Sequence, residues 1–326
     1  MDLIPGSAPH WHLVLNHLPS VGTLVALCLL ASARSVGSRD VTRASLLLFV
    51  VFSLVAIPTF VTGAAAGWAI RSAQGISEGA INAHQDAALL ALAALLATGW
   101  LAWFVLWRDR RRLALGVAGP AASPRGALDG WGPSAVLGSG ALALALMLWT
   151  ARLGGDINHP EIRVGGPTEG AGQGLSAAIV DWVGGRAWAF PAMETVHFLG
   201  MALLFGAVLL TAVRVLGGAR TVPYSAFHRL LPLGVFGFVL NVVTGLGFFL
   251  VDSGRYSALT YGFFPKVALI VVGGVAALYF TIFERLWALG AGDDAPLAAK
   301  AVAVVTVLIW SGVIAYGRLL PYLKAE

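Results

Sequence analysis

The chain has 326 residues, of which 58% are hydrophobic and only 11% charged, and its mean hydropathy is +0.82. That balance excludes a soluble domain; unbroken apolar runs of about 20 residues read as membrane-spanning helices, and the lack of residue-by-residue alternation excludes a β-barrel. The formal net charge of +5 comes from Lys and Arg in short loops between those runs, a topology signal and not a nucleic-acid-binding one.

Eight spans are predicted, over 13–33, 44–70, 84–107, 133–153, 191–213, 230–251, 263–287 and 298–320. They must be helices, because hydrocarbon offers no partner to an unpaired backbone group. The N-terminus lacks a basic stretch before an apolar core and a cleavage site, so the first span is expected to remain as an anchor. It holds Cys28, the sole cysteine, which excludes an internal disulfide; no Cys-x-x-Cys-His is present to attach a c-type haem.

Arg34, Arg39 and Arg43 follow span 1, and Arg108, Arg110, Arg111, Arg112 and Arg125 follow span 3. Arg214, Arg220 and Arg229 separate spans 5 and 6, and Arg285 and Lys300 flank the loop before span 8. The alternate loops hold fewer cations, which puts both termini outside. Trp103 and Trp107 then mark one interface, Trp182 and Trp188 the other. Between spans 4 and 5 runs a long, Gly-rich outer connector, 154–186, whose apolar piece from Leu175 to Trp182 suits a short surface helix. Such a connector is a natural docking place for a partner.

The two halves resemble each other. With His17 set on His197, Leu24/Leu204, Leu29/Leu209, Leu30/Leu210, Arg34/Arg214 and Gly37/Gly217 coincide without a gap, an offset of 180. Val61-Thr62-Gly63 matches Val243-Thr244-Gly245 at an offset of 182, which also sets His84 on Lys266. The expected architecture is all-α: an integral membrane protein with two parallel four-helix bundles, both termini outside. The bundles are assigned to 1–160 and 188–326, with an outside connector over 161–187.

Six of the seven histidines, His10, His12, His17, His84, His159 and His197, map to the outer ends of spans or the loops beside them; His228 alone maps inside. Spans 1 and 3 share a heading, so His17 and His84 can face each other at one depth. Two imidazoles from facing helices hold a b-type haem in a bundle and leave the iron no open position. His12 precedes His17 by five residues, about 140° round and 7.5 Å along a continuous helix, and is expected not to share that iron. With His159 it could hold a second haem nearer the surface, while His10 and His12 form a His-x-His that could take copper or zinc. Arg71, Arg152 and Arg163 stand outside as snorkelling cations or as partners for haem propionates. The bland alternative is that each histidine bonds a neighbouring carbonyl and binds nothing.

In the second half, Glu194 lies one turn before His197, and Lys266 follows Arg255 and Tyr256. Ionisable groups in a span are costly and imply function. Glu194, His197 and Lys266, with Phe263 and Phe264, suit a quinone; the alternative is a buried Glu–Lys pair that only fixes packing.

The opening HWHLVLNHLP resembles an uncharacterised bacterial inner-membrane family whose first helix begins H-P-x-x-V-H-F-P. That family has a His opening a later helix and a Gly-Gly followed by an aliphatic–polar–His element closing its fourth; here these are His12, His17, Leu18 and Pro19, then His84, then Gly154 and Gly155 through His159. Leu13, Asn16 and Leu18 depart from the pattern. The stretch from Trp188 to Gly200, W-x-F-P-x-x-E-x-x-H-x-x-G, with Phe264-Pro265-Lys266, is similar to a second such family. Both are regarded as cytochrome b-like, which implies haem b and the bacterial inner membrane.

The resulting expectation is a b-type cytochrome subunit, the electron-transfer part of an oxidoreductase complex. It would pass electrons between an outside redox protein (a c-type cytochrome, a hydrogenase or another dehydrogenase) and the quinone pool. The alternatives are a copper transporter and a membrane anchor without haem. Against the transporter, the chain has four methionines and no Met-x-x-Met ladder.

Overall fold

The computed structural model describes residues 7–73, 76–114, 128, 130–158, 174–258, 260–282 and 284–320. Among these, every regular element is a helix. Eight helices are long and apolar enough to cross a membrane, and they coincide with the eight spans expected. His159, Arg125 and Arg163 lie outside the described residues.

Span 1 is α1 (Ala8–Leu15) followed, across Asn16, by α2 (His17–Val36). Gly37 ends α2 in the left-handed conformation that a residue without Cβ adopts most cheaply. Ser38 then caps α3 (Arg39–Ile70), its hydroxyl accepting from the Val41 amide. α4 (Glu78–Ala114) and α5 (Trp131–Asn158) complete the first bundle. The connector carries α6 (Leu175–Gly184), the short helix anticipated from the Leu175–Trp182 run. α7 (Ala189–Val215), α9 (Leu231–Val251), α11 (Thr260–Ile282) and α13 (Leu297–Leu319) form the second bundle. Between them lie three short helices, α8 (Tyr224–His228), α10 (Ser253–Ala258) and α12 (Glu284–Trp287). Trp287, in α12, donates its indole N–H to the Phe280 carbonyl.

The halves are not separate bodies. One apolar cluster takes Ile57, Phe60, Val61 and Leu92 from the first bundle and Phe249, Phe263 and Val267 from the second. α3 is the shared element: it packs on α2 and α4 on one side and on α10 and α11 on the other.

At the end we call inner, following the arginine distribution, polar groups tie helix ends together. Asp109 of α4 is buried and receives Arg39 at 3.1 Å and Arg43 at 2.9 Å, both from the first turns of α3. Arg214 is fully buried; its guanidinium donates to the carbonyls of Val222 (2.8 Å), Gly290 (3.2 Å) and Asp293 (3.3 Å) and lies 3.7 Å over the Tyr224 ring. A buried cation is tolerable only with its donors satisfied in this way. By contrast Arg34, its counterpart at an offset of 180, is exposed. His228 is buried as well, stacked on Trp107 and edge-on to Trp287. Lys300, in the first turn of α13, donates to Asp294 in the loop before it and holds that carboxyl below the usual carboxylate range.

Asp109→Ala removes the common acceptor of two arginines. The expected loss is on the order of 2 kcal/mol, since hydrogen bonds to charged groups are worth about 1.5–3 kcal/mol and both arginines reach solvent. Arg39→Ala should cost less, because Arg43 still reaches Asp109 through two nitrogens. Thermal unfolding of the two variants in detergent checks the order.

Candidate functional site

The sequence predicts a His17–His84 pair. The structure pairs His84 with His12. The two ring centres are 6.5 Å apart and the ring planes stand at 82°. His17 and His10 are exposed. The reason lies in helical geometry. The buried face of α2 runs through Pro19, Thr23, Ala26, Leu30 and Ala33. Carried back by seven residues from Pro19, that stripe meets His12; His17, two residues before Pro19, points about 200° away from it. The first helix can aim only one of the two inward.

Each paired imidazole is anchored through Nδ1. His12 Nδ1 lies 3.1 Å from the Thr59 carbonyl oxygen of α3, and His84 Nδ1 lies 2.9 Å from the Thr150 carbonyl oxygen of α5. A carbonyl can only accept, so both rings carry their hydrogen on Nδ1 and keep a lone pair on Nε2. That is the arrangement a metal-bound histidine adopts, with the outer nitrogen tied to the protein. Pro19 contributes at the same place: it has no N–H to offer the Leu15 carbonyl, and the Thr59 hydroxyl comes within 3.5 Å of that oxygen.

Two glycines make room for the rings. A Cβ on Gly63 would stand 2.7 Å from Cε1 of His12, and one on Gly154 would stand 3.0 Å from Cε1 of His84. Any larger residue would push a ring out of place. With metal–imidazole bonds of about 2 Å, an ion bound between two Nε2 atoms sets their ring centres roughly 6–6.5 Å apart. The observed 6.5 Å matches that spacing, and each ring keeps an unprotonated Nε2. No third His, Cys, Asp or Glu joins them among the described residues, as a closed tetrahedral copper or zinc site would need. His12 and His84 would suffice for an iron whose remaining ligands came from a cofactor.

Asp86, two residues after His84 on α4, fastens the connector. Its carboxylate accepts from the backbone amides of Leu175 and Ser176, both at 2.9 Å, and from the Ser176 hydroxyl. It therefore caps α6 from another helix, where the amide dipoles favour an anion. This residue carried no sequence signal, because the cap spans ninety positions. Arg71 is engaged with Asn82 at 3.2 Å and with Glu78 at 3.7 Å, and Arg152 is exposed.

In the second bundle Glu194, His197 and Lys266 line one cavity of about 450 Å³, with Phe190, Phe263, Tyr256, Arg255 and Arg318. Phe264 packs against Phe263 and the neighbouring core. Glu194 is exposed at the cavity edge. Burial raises the Tyr256 phenol above its ordinary range, so it stays protonated as a donor. His197 Nδ1 lies 2.7 Å from the Thr244 hydroxyl, which gives its own hydrogen to the Leu240 carbonyl at 2.7 Å. The hydroxyl is then the acceptor, and His197 also carries its hydrogen on Nδ1.

Beside this cavity is a larger one of about 770 Å³, almost wholly apolar, between the two bundles. The two share Leu204, Phe238, Val242, Leu246 and Trp310 as walls.

Comparison with protein-family models, with curated proteins and with solved structures gives no match to this chain.

Asp86→Ala leaves the α6 amides uncapped. Loss of an N-cap costs about 0.5–2 kcal/mol. Amide exchange in Leu175–Ala178 should rise about tenfold, with exchange in α4 unchanged; hydrogen–deuterium exchange read by mass spectrometry checks this.

Proposed function

We propose that this protein is a multi-pass b-type cytochrome of the bacterial inner membrane, with His12 and His84 as the axial ligands of one haem near the outer face. The single observation that supports it is the pair itself: two imidazoles, each tied by Nδ1 to a carbonyl of a different helix, Nε2 free, ring centres 6.5 Å apart. When bound, the haem supplies a one-electron couple with both axial positions filled, which suits electron transfer and not gas binding.

The chain's own residues would do the rest. Thr59 and Thr150 hold the ligand rings at fixed angles, and Gly63 and Gly154 leave space for them. Low local polarity would tune the couple. An outside redox protein, a c-type cytochrome, hydrogenase or other dehydrogenase, would dock on the connector helix α6 and the outer helix ends. The quinone pool would be the exchange partner on the membrane side. The 770 Å³ apolar space between the bundles supports this, since it offers a prenyl chain a seat within the hydrocarbon layer.

His12→Ala and His84→Ala should each abolish the b-type absorption that the paired site contributes, and His17→Ala should leave it intact. The check is the dithionite-reduced minus oxidised spectrum of purified variants, scaled to protein. Equal loss in the His17 variant, or none in the His12 variant, would refute the assignment.

A further inference from the structure

The repeat relating the halves has a different register in space from the one its leucines suggest. At an offset of 180, buried Pro19 and Leu30 fall on Leu199 and Leu210, which are 59% and 50% exposed. At an offset of 185, buried Pro19, Gly22, Ala26 and Leu30 fall on Leu204, Ala207, Thr211 and Val215, and all four are buried. In that register His197 corresponds to His12, not to His17.

The surroundings agree. Gly63 of the first Val-Thr-Gly faces His12, and Gly245 of the second faces His197, a Cβ there falling 3.8 Å from Cε1 of His197. In each half the last helix sets a glycine against the residue from the third: Gly154 against His84, and Gly317 against Lys266, where a Cβ would stand 3.2 Å from Nζ. His12, Gly63, His84 and Gly154 thus have His197, Gly245, Lys266 and Gly317 as counterparts. The one chemical change is an amine in place of an imidazole.

We infer that the cavity bounded by His197 and Lys266 is a second haem site, with His197 Nε2 as one axial ligand and the Lys266 amine as the other. This rests on the haem reading of the first site only for the analogy. The second site has grounds of its own. His197 holds its hydrogen on Nδ1 toward Thr244 and leaves a lone pair on Nε2. The cavity of about 450 Å³ has the size of a cofactor pocket, with aromatic walls from Phe190, Phe248 and Phe263. Arg255 and Arg318 lie at its exposed edge, where carboxylate side groups of a macrocycle would emerge. A primary amine in its neutral form is a lone-pair donor, as an imidazole nitrogen is.

The quinone expected at Glu194, His197 and Lys266 would then meet the protein from the inter-bundle space instead. The two sites are neighbours across one helix. Thr59 and Gly63 of α3 touch His12, while Ile57 and Val61 of α3 line the second cavity. A helix is about 10–12 Å across with its side chains, so the two cofactors would lie within electron-transfer range of each other.

The test is a haem count on the full chain, expressed with 5-aminolaevulinate and purified in mild detergent, by pyridine haemochrome against amino-acid analysis. Two haems per chain are expected. His197→Ala should lower the count to one, and so should the double variant His12→Ala with His84→Ala. Lys266→His should keep two haems and convert the second to a bis-imidazole signal in the near-infrared magnetic circular dichroism, which a merely structural lysine would not do. A wild-type haem count, whether one or two, that His197→Ala leaves unchanged would overturn the proposal; bound quinone lost on His197→Ala would assign the cavity to a quinone headgroup. Haem lost only with His12 and His84 would leave the first site standing, and haem lost only with His197 would do the reverse.

Discussion

An imidazole in hydrocarbon must place its one N–H, and here that constraint organises the outer half of the molecule. His12, His84 and His197 each put the hydrogen on Nδ1 and direct it at an oxygen of a neighbouring helix. An unsatisfied N–H there would cost several kcal/mol. Satisfying it fixes the ring, the tautomer and the direction of the remaining lone pair together. The glycines on α3, α5 and α13 follow from this, since rings and an amine held against helix backbones leave no room for a side chain.

The same constraint explains the role of α3. It supplies the Thr59 carbonyl and the Gly63 gap to one site and apolar walls to the other. It also carries Arg39 and Arg43 to Asp109 at its inner end. A helix clamped at one end and packed on both bundles can hold two sites in fixed relation. Asp86 ties α6 to this frame by capping its first turn.

The eight spans, their order and the surface helix α6 were legible in the sequence, because hydropathy and length alone decide what crosses a bilayer. The pairing partner of His84 was not. Spacing along the first span chooses His17 and sets His12 aside; the buried stripe of α2 reverses that choice. Pro19, Gly22, Thr23 and Ala26 spell that stripe in small residues, a subtler sign than leucines. The repeat misled for the same reason: Leu24/Leu204 and Leu30/Leu210 are identities between residues on different faces. Leucine is at home against lipid or core, so its matches carry little register, whereas Gly63/Gly245 and Thr62/Thr244 carry it through close packing. Asp86 could not be found from sequence, because a cap reaching across the connector has no local pattern.

The angle between the paired rings gives the most direct test of the central claim. Axial imidazoles held near-perpendicular on a low-spin ferric haem produce a strongly anisotropic signal with one large g value; near-parallel rings produce a rhombic one. The measurement is low-temperature electron paramagnetic resonance of the oxidised protein, in a His197→Ala background so that the first site is seen alone. With ring planes at 82°, the strongly anisotropic signal should appear and should vanish on His12→Ala. A rhombic signal would contradict the geometry, and no low-spin ferric signal from folded, haem-supplied protein would contradict the cytochrome reading itself.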